Sequence, residues 1–287
     1  IEGPIGKFLN KKPFHKWLYT PIDGYGIGGK LTSQCQAALP GFDRLLAYTL
    51  YGKGVLEATI GHEVDWIPHG FNANVFQPRG KTAGRTILGV DDHDTLIGSV
   101  MTNQIRKDWG TAFAAIARVK EQKPNVKFWA HVDVINRHWN LLALREDFGL
   151  SDTVIITRSG QFSSEQMSYL YSACDLTVLP SLGEGFGYPI MESMACGVPV
   201  IHGNWGGGAE LIPVKSWLVE PIADRVESTW NVIRPVWHPN HWADCMLRVL
   251  NEYGEDAREL CAGAVEHLKW ANLGPVWSKW MLEGIEK

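Results

Sequence analysis

The sequence lacks any uninterrupted apolar stretch of the ~18–20 residues that a membrane-spanning helix needs. It also lacks a basic run: 27 Lys and Arg against 31 Asp and Glu leave a formal charge of −4 over 287 residues. That balance is without the concentrated footprint of a dedicated nucleic-acid or membrane-surface binder, so partners narrow to small molecules and proteins. The five cysteines, Cys35, Cys174, Cys196, Cys245 and Cys261, are odd in number and form no Cys-x-x-Cys pair. They read as buried free thiols in a reducing compartment. No Gly-x-Ser-x-Gly elbow is present, which disfavours a Ser/His/Asp hydrolase. Ile1 to Lys12 mixes Gly, Pro, Asn and Lys in place of a signal-peptide apolar core, so the expected location is cytoplasmic. What is present is ordinary globular composition, 45% hydrophobic and 20% charged, in a length suited to one large or two modest domains.

Short apolar runs recur at Lys16–Ile22, Arg44–Thr49, Val64–His69, Thr95–Met101, Val126–Val132, Val154–Thr157, Leu176–Pro180, Pro199–His202 and Trp217–Glu220. Runs of this kind fit strands buried on both faces of a parallel sheet. Between them, Ile105–Lys120 carries Ala112, Phe113, Ile116, Ala117 and Lys120 on one helical face. Arg137–Phe148, Ser164–Ala173 and Tyr188–Ala195 repeat that period at shorter length. The alternation predicts a doubly wound α/β fold with ligands at the carboxyl ends of the strands. From His238 the chain reads as helical, with Pro239 at a helix start, and Gly274-Pro275 is expected to break it before a last helix, Val276–Glu283. Pro, Gly and charge at Phe76–Lys81 mark a linker. We therefore expect domains at 1–78 and 79–272, with 273–287 a terminal helix packing back on the first. Trp237, Trp242, Trp270, Trp277 and Trp280 read as packing for the terminal helices.

The most informative stretch is Pro180–Val200, which reads as strand end, Gly-rich loop, helix and next strand. Gly183, Gly185 and Gly187 would let the backbone approach a ligand, and the helix that follows directs its amino-terminal amides toward an anion such as a diphosphate. Glu184 in the loop suits sugar hydroxyls, and Glu192 on the helix suits the two hydroxyls of a ribose. The plainer reading makes Glu192 a solvated helix residue and the glycines simple turns. Two glutamates, three glycines and the ending Ala195-Cys196-Gly197-Val198-Pro199-Val200 occurring together favour a nucleotide-sugar site.

Glu184 and Glu192, seven residues apart within Glu-Gly-Phe-Gly-Tyr-Pro and Glu-Ser-Met-Ala-Cys-Gly-Val-Pro-Val, resemble the signature of retaining GT-B glycosyltransferases of glycosyltransferase family 4. Ile67-Pro-His-Gly-Phe-Asn followed by Val75-Phe76-Gln77-Pro78 resembles that family's crossover between domains, and Ala173-Cys174-Asp175-Leu176 falls in the matching order. The resemblance implies an α/β GT-B fold of two Rossmann-like parallel-sheet domains, with the amino-terminal, acceptor-side one truncated and the carboxyl-terminal end helical. It further implies that Arg106 and Lys107, after the first strand of the second domain, hold the donor diphosphate, without dividing that task between them. Fixed cations there stabilise the charge that develops on a departing nucleoside diphosphate. Glu184 would position the sugar, Gly185, Phe186 and Gly187 would supply backbone contacts to the donor, and Glu192 would hold the ribose. Arg158, in Thr157–Phe162, would select the base, and His131 would point to the ligand edge unless it is structural.

The expected donor is a nucleotide-diphosphate sugar, with no resident cofactor or metal. The resemblance implies an acceptor hydroxyl on a carbohydrate, a protein or a lipid-linked molecule, attacking from the face the leaving group departs. Asp91–Asp94 as an ion site reads better as an exposed turn, and His238–His241 has no third ligand. Gly206–Gly208 with Glu210 reads as secondary donor-side support or a flexible loop, and Gly24–Gly29 as an acceptor-side loop or a plain turn. Two rival functions stay open: a nucleotide-sugar epimerase or hydrolase of the same fold, and an inactive donor-binding or scaffolding subunit.

Overall fold

The computed structural model describes residues 15–227, 230–253 and 256–285. The signal-free reading of residues 1–12 lies outside them. Strands β1 (Trp17–Thr20), β2 (Arg44–Ala47) and β3 (Asp65–Trp66) form a parallel sheet in that order, with Leu18 opposite Leu45 and Ala47 opposite Trp66. Helix α1 (Ser33–Gln36) and helix α2 (Leu50–Ile60) lie between β1 and β3. The Thr49 hydroxyl accepts from the Gly52 amide at the start of α2, and Gly61, at φ 80°, ends it. Val55 and Leu56 of α2 pack with Ile22, Leu31, Ala47 and Val64 in a small separate core.

The larger unit is a six-stranded parallel sheet in the order β6-β5-β4-β7-β8-β9. Its strands are β4 (Thr95–Val100), β5 (Val126–Val132), β6 (Val154–Arg158), β7 (Leu176–Leu179), β8 (Val200–Gly203) and β9 (Leu218–Val219). Helix α3 (Lys81–Leu88) precedes β4, and helices α4 (Trp109–Gln122), α5 (Leu141–Asp147), α6 (Ser164–Ala173) and α7 (Tyr188–Ala195) connect successive strands. Every residue of β7 and β8 is buried, as central strands covered by helices on both faces require. Asp175 fastens the first helix to the sheet: its carboxylate accepts from the Leu96 amide at 2.8 Å and pairs with Lys81 at 2.6 Å and Arg85 at 2.9 Å. Arg79, in the linker, donates to the hydroxyls of Ser168 and Tyr169 on α6, so this end of the linker is held to the larger unit.

Two local expectations are corrected, and one element is added. The helix expected over Arg137–Phe148 starts only at Leu141, because the buried Asn103 amide takes the Trp139 backbone N–H (2.8 Å) and C=O (2.7 Å) and holds the preceding turn. Beyond α8 (Pro239–Glu252) and α9 (Asp256–Ala264), Gly274-Pro275 does not break the chain but lies inside α10 (Trp270–Ile285). Tertiary contacts outweigh the lost N–H there: Trp280 stacks edge-on against Trp17 at 5.1 Å and donates to Asp65 at 2.7 Å, and Trp277 meets Tyr19 at 4.8 Å. An antiparallel hairpin, β10 (Ala223–Glu227) with β11 (Val232–Val236), is an addition that the periodicity did not disclose. Ile233 donates its amide to the Tyr25 carbonyl at 2.7 Å, which lays the hairpin on the loop after β1.

Candidate active site

The loops that follow β4 and β7 are sewn together at their backbones. The Leu182 amide donates to the Arg106 carbonyl at 2.6 Å, and the Ser181 hydroxyl donates to the same oxygen at 3.3 Å. This stitch brings Lys107 and Glu184 into a buried ion pair, with side chains 8% and 7% exposed. Arg106 donates to the Gly183 carbonyl at 2.5 Å and lies 3.6 Å from Glu184 and 3.4 Å from Asp23. Burial alone would raise the pKa of Glu184, but the charges of Lys107 and Arg106 outweigh it and hold the carboxyl down at about 2. Burial lowers the pKa of Lys107, against the pull of Glu184.

Around this pair lies a cleft of about 380 Å³, bounded by Arg106, Lys107, His131, Glu184, Gly185, Phe186 and Gly187 among other residues. Seven of the residues singled out in the sequence thus converge. The cleft opens at the carboxyl ends of β4, β5 and β7, where a doubly wound sheet presents its ligand edge. His131, next to last in β5, has Nδ1 2.8 Å from the Thr157 hydroxyl, which also accepts from the Trp129 indole, and burial lowers its pKa. Gly187, at φ 98°, turns the chain into α7. Glu192 and Arg158 do not border the cleft. Glu192 accepts from the Tyr171 hydroxyl at 2.9 Å, and burial pushes its carboxyl up to about 7. Arg158 is exposed at the end of β6.

Two of the loop glycines also accommodate a neighbouring loop, besides the ligand approach expected of them. A Cβ on Gly183 would lie 2.0 Å from Arg234 and 2.1 Å from the Asp23 carbonyl, and one on Gly185 would lie 2.5 Å from Pro21. The close approach is therefore to the loop after β1. Asp23 and Arg234, not singled out in the sequence, sit at that seam: the guanidinium donates to the Asp23 carbonyl and lies 3.2 Å from its carboxylate and from Glu227. Only the Gly-rich run beginning at Gly24 hinted at this loop.

His69, at the end of the third apolar run, was also missed. It lies among Tyr48 (4.0 Å), Tyr188 (4.8 Å) and Phe186 (5.2 Å), and burial lowers its pKa to about 4. Glu210 does not border the cleft; it accepts from the amides of Leu50, at 2.9 Å, and Tyr51 at the start of α2. Asp91 and Asp94 offer backbone carbonyls to Arg85 at 2.7 and 3.0 Å, as part of a structural turn.

Residues 95–251 match the family model described as glycosyl transferases group 1. A D-inositol 3-phosphate glycosyltransferase of Segniliparus rotundus is 29% identical over 206 residues, covering 70% of this chain and 42% of the relative. One from Mycobacterium sp. (strain KMS) is 30% identical over 144 residues, covering 50% of this chain and 32% of the relative. The chain therefore spans less than half the length of either of these curated relatives. Sucrose-phosphate synthase from Thermosynechococcus elongatus superposes with a TM-score of 0.75 at 21% identity, over 98% of this chain and 70% of that one. Anabaena HepE in complex with UDP-glucose gives 0.71 at 17% identity, over 88% and 68%. At these identities the likeness carries the fold alone, and that fold is GT-B.

Proposed function

The chain belongs to the glycosyl transferases group 1 family, matched over more than half its length, and we propose that it is a retaining glycosyltransferase using a nucleotide-diphosphate sugar. The observation that carries this reading is the Lys107–Glu184 pair, with Arg106 beside it, in one cleft with the Gly185–Gly187 backbone. In this reading Glu184 receives the sugar hydroxyls, because Lys107 keeps it ionised and therefore an acceptor. Arg106, Lys107 and the amides at the start of α7 meet the diphosphate, which makes transfer independent of a metal ion. Glu192 takes the ribose, exchanging its Tyr171 bond for the sugar hydroxyls, and Arg158 lies toward the base. His131 contributes a neutral imidazole beside the sugar.

The acceptor oxygen forms its bond to the anomeric carbon on the face from which the phosphate leaves. The bond to the β-phosphate oxygen breaks, and that oxygen takes the acceptor proton. A cytoplasmic location belongs to the same reading and is supported by five unpaired thiols. Among the described residues no helix is long and apolar enough to cross a membrane.

The test is a melting-temperature panel of UDP, GDP, ADP and their sugars on the 287-residue chain, followed by analysis of the product anomer with and without EDTA. A nucleotide-selective shift, a retained anomer, EDTA insensitivity and loss of transfer in Glu184→Gln are expected. Donor consumed at full rate without acceptor would replace this reading with an epimerase or hydrolase. Binding with no turnover against any acceptor would replace it with a donor-binding subunit.

A further inference from the structure

A second cavity, of about 530 Å³, adjoins the first and shares Pro21 and Arg106 with it. One wall runs from β1 to Leu39, just past α1, together with Leu56 of α2, and the other is the hairpin, through Trp230, Val232 and Arg234. Its polar groups gather where it meets the first cleft: Asp23 lies there between Arg106 and Arg234, at 3.4 and 3.2 Å. Away from that junction the lining is mostly apolar, with Leu18, Ile22, Leu31, Leu39, Leu56 and Val232, and its hydroxyls are those of Thr20 and Thr32. The two walls are fitted to each other. A Cβ on Gly24 would lie 2.4 Å from Val232, and the Ile233 amide reaches the Tyr25 carbonyl. The Gly-rich run that the sequence left open between a turn and an acceptor-side loop thus forms part of this seam.

We propose that this cavity receives the acceptor, and that the acceptor is an alcohol whose body is an apolar carbon frame. The inference rests on the glycosyl-transfer reading and specifies its acceptor class. Polarity at one end and apolar side chains at the other select a molecule with the same division. A polyhydroxylated body would bury hydroxyls against Leu18, Leu39 and Leu56 without partners, which is costly. An apolar body gains from the same surface. Asp23 is the positioning residue for the hydroxyl: each carboxylate oxygen has a lone pair beyond its contact with a guanidinium, and Arg106 borders both cavities.

The experiment compares ethyl, hexyl and octyl β-D-glucosides, below their micellar concentrations, by calorimetric titration of the chain in the presence of the best-binding nucleotide. Octyl glucoside is expected to bind at least tenfold more tightly than ethyl glucoside. Trp230→Ala and Val232→Asp should each remove that dependence on chain length while the nucleotide-induced melting shift persists. Trp230 is 57% exposed, so its removal leaves the core intact. Equal affinity for ethyl and octyl glucoside, or a chain-length dependence that survives both substitutions, overturns the proposal even where the nucleotide binds. Chain-length dependence lost in both variants, but with no nucleotide shift in the parent, would retain the cavity as an apolar-alcohol site and remove the donor reading instead.

Discussion

Replacing Lys107 with Met should convert the most stabilised carboxylate of the cleft into its most costly one. Lys107 and Glu184 are almost fully buried, and Glu184 is displaced from an ordinary 4.5 to about 2. Each tenfold change in proton affinity is worth about 1.4 kcal/mol, so the ionised form is favoured in the folded protein by about 3 kcal/mol. Because the folded value lies below the unfolded one, this contribution is fully present above pH ~4.5 and is lost as pH falls toward 2. In Lys107→Met only Arg106, at 3.6 Å, still faces the carboxylate, and burial then dominates and raises its pKa. Removing one member of a buried pair costs about 3–5 kcal/mol. The variant should therefore be less stable by about that amount at pH 7, and should recover stability as pH falls toward 5, where Glu184 protonates. Urea unfolding at several pH values between 4 and 8 measures both effects. A Lys107→Met protein as stable as the parent at pH 7, with the parent's pH dependence, would refute the reasoning. Adding Glu184→Gln should restore most of the stability but not sugar transfer, which separates the folding effect from the chemical one.

Glu192 has the opposite sign. Its folded carboxyl is raised from 4.5 to about 7, so the parent loses stability as pH rises between those values, and Glu192→Gln should be more stable by about 2–3 kcal/mol at pH 8 but not at pH 4. Equal stability of the two proteins at both pH values would remove that assignment, and a weakened nucleotide-induced melting shift in Glu192→Gln would support the ribose role. Glu210→Ala deprives the Leu50 and Tyr51 amides of their acceptor, at a cost of about 1–2 kcal/mol. Hydrogen exchange at those two amides should accelerate, and unchanged protection would show that the contact does not hold in solution. In Gly183→Ala the new methyl meets Arg234 and the Asp23 carbonyl at about 2 Å, so the loop carrying Glu184 must move. Donor affinity should fall at least tenfold, and an unchanged Kd would reject the coupling between that loop and the one after β1.

Much of the larger unit was legible because β4, β5, β7 and β8 are mostly buried, and a strand covered on both faces has little choice but to be apolar. The hairpin escaped notice for the converse reason. Ala223–Glu227 is mostly exposed, its run Ala-Asp-Arg-Val-Glu has no two-residue alternation, and its order comes from Val232–Val236. Pro275 shows a local rule overridden, since the helix around it is held by Trp277 and Trp280 on strands far away in the sequence. At the site, Arg106, Lys107 and Glu184 were visible because each follows a legible strand. Asp23 and Arg234 were not, because their significance is a contact between two loops with no common pattern.

The two adjacent cations that the sequence could not tell apart are distinguished by what surrounds them. Lys107 is buried and directs its ammonium at one carboxylate, so its charge is already matched. Arg106 is 26% exposed and divides its guanidinium between the Gly183 carbonyl, Glu184 and Asp23. A planar fork of donors can bridge three such partners, whereas an ammonium on a flexible stem acts as a point charge. Lys107, Arg106 and Arg234 face Glu184, Asp23 and Glu227, three cations against three carboxylates. A diphosphate entering this neutral cluster has to draw a cation from an existing partner. Arg106 is the one with longer carboxylate contacts, with solvent access and with a place in both cavities. In the proposed reading burial therefore sets different tasks for the two cations that meet the diphosphate: Lys107 also keeps Glu184 ionised, and Arg106 is the one freer to shift toward the ligand.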